Sequence, residues 1–370
     1  MTSIYETYGL KPVINASGRM TKLGVSTPAA EVVSAVSHAM EHYFEMSDLV
    51  DKTGEYIANL LGVEAGVVVA CASAGIAQCV AAVIIRDDPH LLVNLHAAQP
   101  KGPCEIVLPK GHNVNFGAPV GTMIALGGGK IVEAGWGNEC SPAQLEAAIT
   151  PQTAALLYVK SHHALQKSVL SVEEAVAVAQ RNRLPLIVDA AAEEDLQAYY
   201  KMGADLVIYS GAKAIEGPTS GLVIGRKQYV EWVKLQSQGI GRAMKVGKEG
   251  ILGLTCAIER YMKTPAETGI SMSERLHPMI EALNNVGGLS ARIVWDSAGR
   301  DIARGEISIE EKTFGMSATA AVSALKKGDT AIYFREYRMN EGKIEVDVRS
   351  VSNAQLAVIT QSFEKLAQKK

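Results

Sequence analysis

Residues 205–225 read DLVIYSGAKAIEGPTSGLVIG. An apolar run, Leu206–Tyr209, has the length and β-branched content of a buried strand, and a second, Leu222–Ile224, follows after a Gly- and Pro-bearing turn. Between them sits Lys213, enclosed by Ser210, Gly211 and Ala212 before it and Ala214 and Ile215 after it. A surface lysine usually stands among solvated neighbours. One set among small and apolar residues at a strand end is desolvated, which lowers its pKa and favours the nucleophilic amine. A structural lysine is the plain alternative.

The flanking sequence repeats the same alternation. Val67–Val69, Glu105–Leu108, Ala154–Val159 and Leu186–Asp189 read as further buried strands. Helical patterns lie between them at Ile76–Ile85, Pro142–Ile149, Val172–Asn182 and Leu196–Met202. Such alternation predicts an α/β fold with a mostly parallel sheet covered on both faces. Ser141-Pro142 and the Ser171…Glu174 capping box mark helix starts. Residues 226–263 read as largely helical with a break near Gly239–Gly241 and Gly247. From about residue 264 the chain reads as a smaller α+β unit, ending in an amphipathic helix over Ala354–Leu366. The expected domains are an N-terminal segment 1–50 packing on the body or a neighbouring subunit, a large domain 51–263 and a small domain 264–370.

Composition excludes several classes. The chain has 370 residues, 48% hydrophobic and 20% charged, with a formal net charge of −3. That is ordinary globular composition, without the basic excess expected of a nucleic-acid or anionic-membrane binder. Five cysteines without a CxxC pair argue against a zinc ribbon or redox motif, and no His/Cys/carboxylate cluster has metal-ligand spacing. The opening MTSIYETYGL does not read as a signal peptide, so a reducing cytoplasm is the expected compartment. Residues 65–85, AGVVVACASAGIAQCVAAVII, carry no charge, but the small residues Ser73-Ala74-Gly75 break the run. They read as strand, turn and helix and not as a membrane span.

Two further features join Lys213. In LPLIVDAAAEED, residues 184–195, Asp189 ends the most apolar strand. Ligands bind at the carboxyl ends of strands in α/β sheets, and a carboxylate there suits a protonated pyridine nitrogen. A helix N-cap is the alternative. In CASAGIAQ, residues 71–78, a strand-to-helix turn places Ser73, Ala74, Gly75 and Ile76 where backbone amides and a hydroxyl form a phosphate cup. GGGK, residues 127–130, lacks the spacing of a nucleotide loop and reads as a turn. Arg242, Lys245 and Lys248 form a basic cluster that is either a solvated helix face or an anion site.

Taken in order, phosphate cup, strand-end Asp, strand-end Lys and Gly-rich segment are the layout of fold-type I pyridoxal-phosphate enzymes. With VINASGRMTKLG (13–24), VDAAAEED (188–195) and GIGRAMKVGKEGILGL (239–254), the chain resembles the selenocysteine synthase (L-seryl-tRNA selenium transferase)-like branch of that fold over nearly its whole length.

The resemblance implies an aspartate aminotransferase-like fold, with a large domain built on a mostly parallel seven-stranded sheet and a small α+β C-terminal domain. It implies pyridoxal 5'-phosphate as cofactor, bonded to Lys213, with Asp189 on its ring nitrogen and Ser73, Ala74, Gly75, Ile76 and Ser210 around its phosphate. His112 falls at the ring-stacking position, Arg349 at that of a substrate-carboxylate arginine, and His162 or His163 near cofactor or substrate. Arg242, Lys245, Lys248, Arg19 and Lys22 are then available to a substrate phosphate or to a neighbouring subunit's cofactor, in a homo-oligomer of at least two chains. The chain is shorter than typical tRNA-acting members and no basic RNA-binding segment precedes its body, so tRNA is not the expected substrate. The implied activity is a carbon–nitrogen lyase eliminating water and then ammonia from a small phosphorylated amino sugar acid. The same machinery serves aminotransferases, racemases and aldolases.

Overall fold

The computed structural model describes residues 3–95, 102–161, 164–296 and 300–368. Its strands are β1 (Val13–Ala16), β2 (Ala65–Val69), β3 (Glu105–Pro109), β4 (Lys130–Ala134), β5 (Thr153–Val159), β6 (Leu186–Asp189), β7 (Leu206–Ser210), β8 (Gly221–Gly225), β9 (Leu289–Trp295), β10 (Ala303–Ile309), β11 (Ala331–Phe334) and β12 (Lys343–Asp347). They fall into two units, one of residues 28–264 and one combining 1–27 with 265–370.

The larger unit holds a seven-stranded sheet in the order β2-β8-β7-β6-β5-β3-β4. Only β8 runs antiparallel to its neighbours, β2 and β7; the other pairings are parallel. β2, β3, β5 and β8 are buried along their whole length. Both faces are covered by helices, which is why these strands read as unbroken apolar runs. β4 escaped the sequence reading for the opposite reason. It is an edge strand with Lys130 and Glu133 exposed, and its apolar content is too diluted to stand out. The turn reading of Gly127–Gly129 holds: it links the helix Val120–Leu126 to β4, with Gly128 at φ +80°.

The apolar stretch 65–85 resolves into β2 and the helix Ala72–Ile85. Among the described residues no helix is long and apolar enough to cross a membrane. The Ser171–Glu174 capping box forms as its sequence requires, and the helix start at Ser141-Pro142 is closed by a second box, Ser141 with Gln144.

β2, β6 and β7 run in the same direction, so their carboxyl ends share one edge of the sheet. That edge carries the start of the helix Ala72–Ile85, Asp189, and the turn bearing Lys213.

The first 50 residues do not behave as one segment. β1 pairs in parallel with β11, from Val13↔Ala331 to Ala16↔Phe334, and so belongs to the smaller unit. The helices Ala30–Glu41 and Met46–Leu61 belong to the larger unit, where Val32, Leu49, Ile57 and Leu61 share a core with Ile251 and Leu254. In the smaller unit, β12-β10-β9 form an antiparallel sheet. Its core gathers Leu276, Ile307, Val346 and the rings of Phe314, Phe334 and Phe363.

Candidate active site

Lys213 projects from a turn closed by its own backbone. Gly211 N–H donates to Ser220 O at 2.9 Å, Gly217 N–H to Gly211 O at 2.8 Å, and Glu216 N–H to Lys213 O at 3.3 Å. A Cβ on Gly211 would lie 2.2 Å from Ser220 Oγ and 2.8 Å from Leu254 Cδ1, so any larger residue would push those side chains aside. Glu216 adopts φ +56°, a left-handed conformation that a non-glycine residue holds only where its surroundings enforce it. Burial lowers the Lys213 pKa, and the Asp189 carboxylate opposes that shift.

Asp189 is buried at the end of β6, where its Oδ1 accepts from Ala191 N–H at 3.1 Å. Burial raises its pKa to about 6, against the pull of the Ala191 N–H and the Lys213 ammonium. It does not cap a helix: the next one, Ala198–Met202, begins nine residues on with Gln197 as its N-cap, and there Asp195 Oδ1 accepts from Gln197 N–H at 2.8 Å and Ala198 N–H at 2.9 Å. Glu193 is likewise structural, accepting from Tyr199 OH at 2.6 Å.

The turn read as a phosphate cup has fewer amides to offer than expected. Cys71 is the N-cap of the helix Ala72–Ile85, its Sγ accepting from Ala74 N–H at 3.3 Å, and Gly75 N–H donates to Cys71 O at 2.9 Å. Ala74 and Gly75 thus spend their amides inside the first turn, and Ile76 is buried in the core. Gly75 serves packing instead, since a Cβ there would stand 2.9 Å from Ile208 Cγ2. That leaves the first-turn N–H groups of Ala72 and Ser73, which a helix start does not use internally, beside the half-buried Ser73 side chain. Gly221 connects them to Ser210. It pairs with Ser210 in the β7–β8 ladder, and its missing Cβ would lie 2.6 Å from Cys71 C and 2.8 Å from Ala72 N. Sequence reasoning gave no role to Gly221 or Cys71, although both lie in the quoted segments, because their contact exists only once the strand and helix are brought together.

His112 is a correction. Its Nδ1 accepts from Val159 N–H at 3.2 Å and its Nε2 faces Leu165 O at 3.0 Å. The ring meets Tyr158 edge-on, with centroids 4.5 Å apart. Wholly buried and with both nitrogens engaged, it has no face to stack on a cofactor. Burial lowers its pKa to about 4, helped by the charge of Lys160, so it is a neutral structural histidine. Lys160 directly follows β5. Its N–H donates to Asp189 O at 2.8 Å and its Nζ to Gln166 Oε1 at 3.2 Å, which sets a second amine on the same sheet edge.

The basic cluster does not share a helix face. Arg242 lies in a 3-10 turn, Ile240–Met244, Lys245 is extended at φ −62°, ψ 131°, and Lys248 opens the helix Lys248–Lys263. Lys248 is spent on structure. Its Nζ donates to Met40 O at 3.4 Å and to His42 O, and sits 5.2 Å from the Tyr43 ring centroid. It satisfies the carboxyl end of the helix Ala30–Glu41. Arg242 and Lys245 are exposed.

In the smaller unit, Arg349 is held bidentately by Asp347, Nε to Oδ1 at 3.0 Å and Nη2 to Oδ2 at 2.8 Å. Arg19 follows Gly18, whose missing Cβ would stand 3.2 Å from Asp347 Oδ2. Lys22 lies 5.7 Å from the Tyr333 ring centroid. His162 and His163 lie outside the described residues. Among the described residues no group of three or more His, Cys, Asp or Glu is placed to hold a metal ion.

The family model for L-seryl-tRNA selenium transferase matches residues 13–284. The chain belongs to that family. Within it, the chain is 46% identical to D-glucosaminate-6-phosphate ammonia lyase of Salmonella typhimurium, over 99% of this chain and 98% of that protein. It is 38% identical to a 5'-C-glycyluridine monooxygenase-decarboxylase of a Streptomyces species, over 95% of this chain and 88% of that one. A solved structure of D-glucosaminate-6-phosphate ammonia-lyase superposes with a TM-score of 0.94 at 45% identity, covering 100% of this chain and 99% of that one. Aspartate aminotransferase from Thermus thermophilus aligns at a TM-score of 0.50 and 14% identity over 97% and 93% of the two chains. The fold is therefore the expected aspartate aminotransferase-like, fold-type I architecture.

Proposed function

We propose that this chain is a pyridoxal-phosphate-dependent ammonia-lyase that converts D-glucosaminate 6-phosphate to 2-keto-3-deoxy-6-phosphogluconate and ammonia by β-elimination of water. The carrying observation is the electrostatic coupling of half-buried Lys213 to buried Asp189 in a chain 46% identical, over 99% of its length, to a lyase of that name.

Pyridoxal phosphate fits the residues present. A carboxylate in so dry a place suits a cationic ring nitrogen, the Lys213 amine stands within its electrostatic reach, and first-turn amides with the Ser73 and Ser210 hydroxyls suit a phosphate. When bound, the cofactor supplies an electron sink for charge developing at the amine-bearing carbon. Lys213, its amine favoured by burial, takes the proton from that carbon. As an ammonium it then assists the hydroxyl that departs from the adjacent carbon. Asp189 keeps the ring nitrogen protonated. Arg242 and Lys245, both exposed in the larger unit, are assigned to a phosphate group. Net loss is one ammonia, because the water expelled in elimination is returned on hydrolysis of the enamine.

A homo-oligomer of at least two chains and a cytoplasmic setting accompany this reading, with no nucleic-acid or membrane partner. The test is release of 2-keto acid and ammonia from D-glucosaminate 6-phosphate by protein supplied with pyridoxal phosphate. Turnover that needs the substrate phosphate supports the reading. Cofactor binding without turnover of this compound overturns the substrate assignment.

A further inference from the structure

The chain that follows Asp189 has little of its own to hold it in place. Ala190, Ala191 and Ala192 offer only methyl groups, and Glu193, Glu194 and Asp195 then add three carboxylates. Glu194 and Asp195 are exposed. Like charges this close repel and carboxylates favour water, so both effects pull the loop away from the sheet edge.

The start of the loop nevertheless carries the N–H that Asp189 uses. Ala191 N–H donates to Asp189 Oδ1 at 3.1 Å, closing a side-chain turn. β7 holds this turn from its other side: Ala190 N–H donates to Ile208 O at 2.9 Å, and Ser210 N–H to Ala191 O at 3.2 Å. Past Ala191 the loop is gripped by side chains. Tyr209 of β7 donates its hydroxyl to Asp195 O at 2.9 Å. Tyr261, from the helix Lys248–Lys263, donates to Glu194 O at 2.8 Å, and Tyr199, from the helix Ala198–Met202, donates to Glu193 Oε2 at 2.6 Å. Three phenols from three elements thus take three successive residues. Tyr158, in the same core, donates to Leu170 O at 3.1 Å instead.

The grip suits its place. Tyr209 and Tyr199 are buried and Tyr261 is half-buried. Burial and the nearby carboxylates raise the pKa of Tyr209 and of Tyr199, so both remain donors at neutral pH. All three donors are uncharged. They restrain an acidic loop without setting another cation beside Asp189 to compete for its charge. Tyr209 also directly precedes Ser210, so the residue gripping the far end of the loop adjoins the one whose N–H holds its near end. Every group in this arrangement lies in the larger unit.

We propose that Tyr209, Tyr261 and Tyr199 are positioning residues: by restraining Glu193–Asp195 they keep the Ala191 N–H on Asp189 and so aim that carboxylate at the ring nitrogen of the cofactor. This rests on the ring-nitrogen role given to Asp189 in the proposed reaction. The test is calorimetric titration of cofactor-free protein with pyridoxal 5'-phosphate and, separately, with its 1-deaza analogue, which carries C–H in place of the ring nitrogen. Asp189 distinguishes these two ligands, whereas a general loosening of the fold weakens both alike. Wild type is expected to prefer pyridoxal phosphate by at least about tenfold, as a charge-assisted hydrogen bond allows. Tyr209→Phe and Tyr261→Phe keep the ring and remove only the hydroxyl. Each is expected to lower the preference by about threefold to fivefold, the worth of one hydrogen bond, and the double variant to lower it further. Tyr158→Phe, which removes a buried hydroxyl that does not touch the loop, is expected to leave the preference unchanged. Tyr261→Phe, at the half-buried position, gives the reading if Tyr209→Phe does not fold. A preference that survives intact in folded Tyr209→Phe or Tyr261→Phe, or that falls equally in Tyr158→Phe, overturns the proposal and leaves the role of Asp189 standing. A wild type that binds both ligands equally overturns the role of Asp189 and the proposal with it.

Discussion

Gly221→Ala tests the proposed cofactor cradle at a position to which the sequence reading gave no role. The glycine brings β8 against the first turn of the helix Ala72–Ile85, and an added Cβ would lie 2.6 Å from Cys71 C and 2.8 Å from Cys71 O and Ala72 N. These are backbone atoms and cannot rotate aside. Restoring the 3.4 Å of ordinary contact moves the helix start by about 0.8 Å. The strain is expected to cost about 1–3 kcal/mol of stability. The larger consequence is functional. The first-turn amides of Ala72 and Ser73 move with the turn, and misplacement on the 1 Å scale costs up to about a hundredfold where geometry is set in advance. The expected result is an apparent Kd for pyridoxal phosphate raised on the order of tenfold or more, read from the visible absorbance of the bound cofactor, with a modestly lowered melting temperature. A variant that melts lower yet binds the cofactor as tightly as wild type would refute the assignment of this turn to the phosphate.

Lys213→Ala should retain the fold and lose the absorbance of covalently held cofactor; an unchanged spectrum would remove the lysine from the site. The Asp189 carboxyl, raised from 3.8 to about 6 by burial, makes protonation favour the folded state. Without cofactor, its contribution to stability should therefore fall as pH rises from about 4 to 6, by on the order of 3 kcal/mol. Asp189→Asn should lack this slope in denaturant titrations of the cofactor-free protein, and an identical slope in both would contradict the burial argument. Lys248→Ala should lower stability by about 0.3–1 kcal/mol and leave KM unchanged, whereas Arg242→Ala should raise KM for the phosphorylated substrate with stability intact. The opposite pattern would return Lys248 to the anion site.

The parts of this molecule that were legible in its sequence are those whose physics is local. Buried strands such as β5 and β6 announce themselves as apolar runs, and Ser171 with Glu174 announces a helix start. Asp189 and Lys213 could be picked out because a charge at the end of an apolar run is costly unless it is used. The edge strand β4 was lost because half of it faces solvent. The role given to His112 did not survive because its engagement with Val159 and Leu165 joins segments some 50 residues apart in sequence. Gly221, which sets β8 against Cys71, and Gly18 beside Asp347 depend on contacts no periodicity encodes. The basic residues 242, 245 and 248 looked like one face only while a single helix was assumed to carry them all.

The most direct test of the central claim is borohydride reduction of the protein with pyridoxal phosphate bound, followed by peptide mapping of the phosphopyridoxyl group. The account expects one stoichiometric label on Lys213, lost in Lys213→Ala and protected from exchange in the folded protein. Labelling at Lys160 or at surface lysines, with Lys213 unmodified, would contradict it.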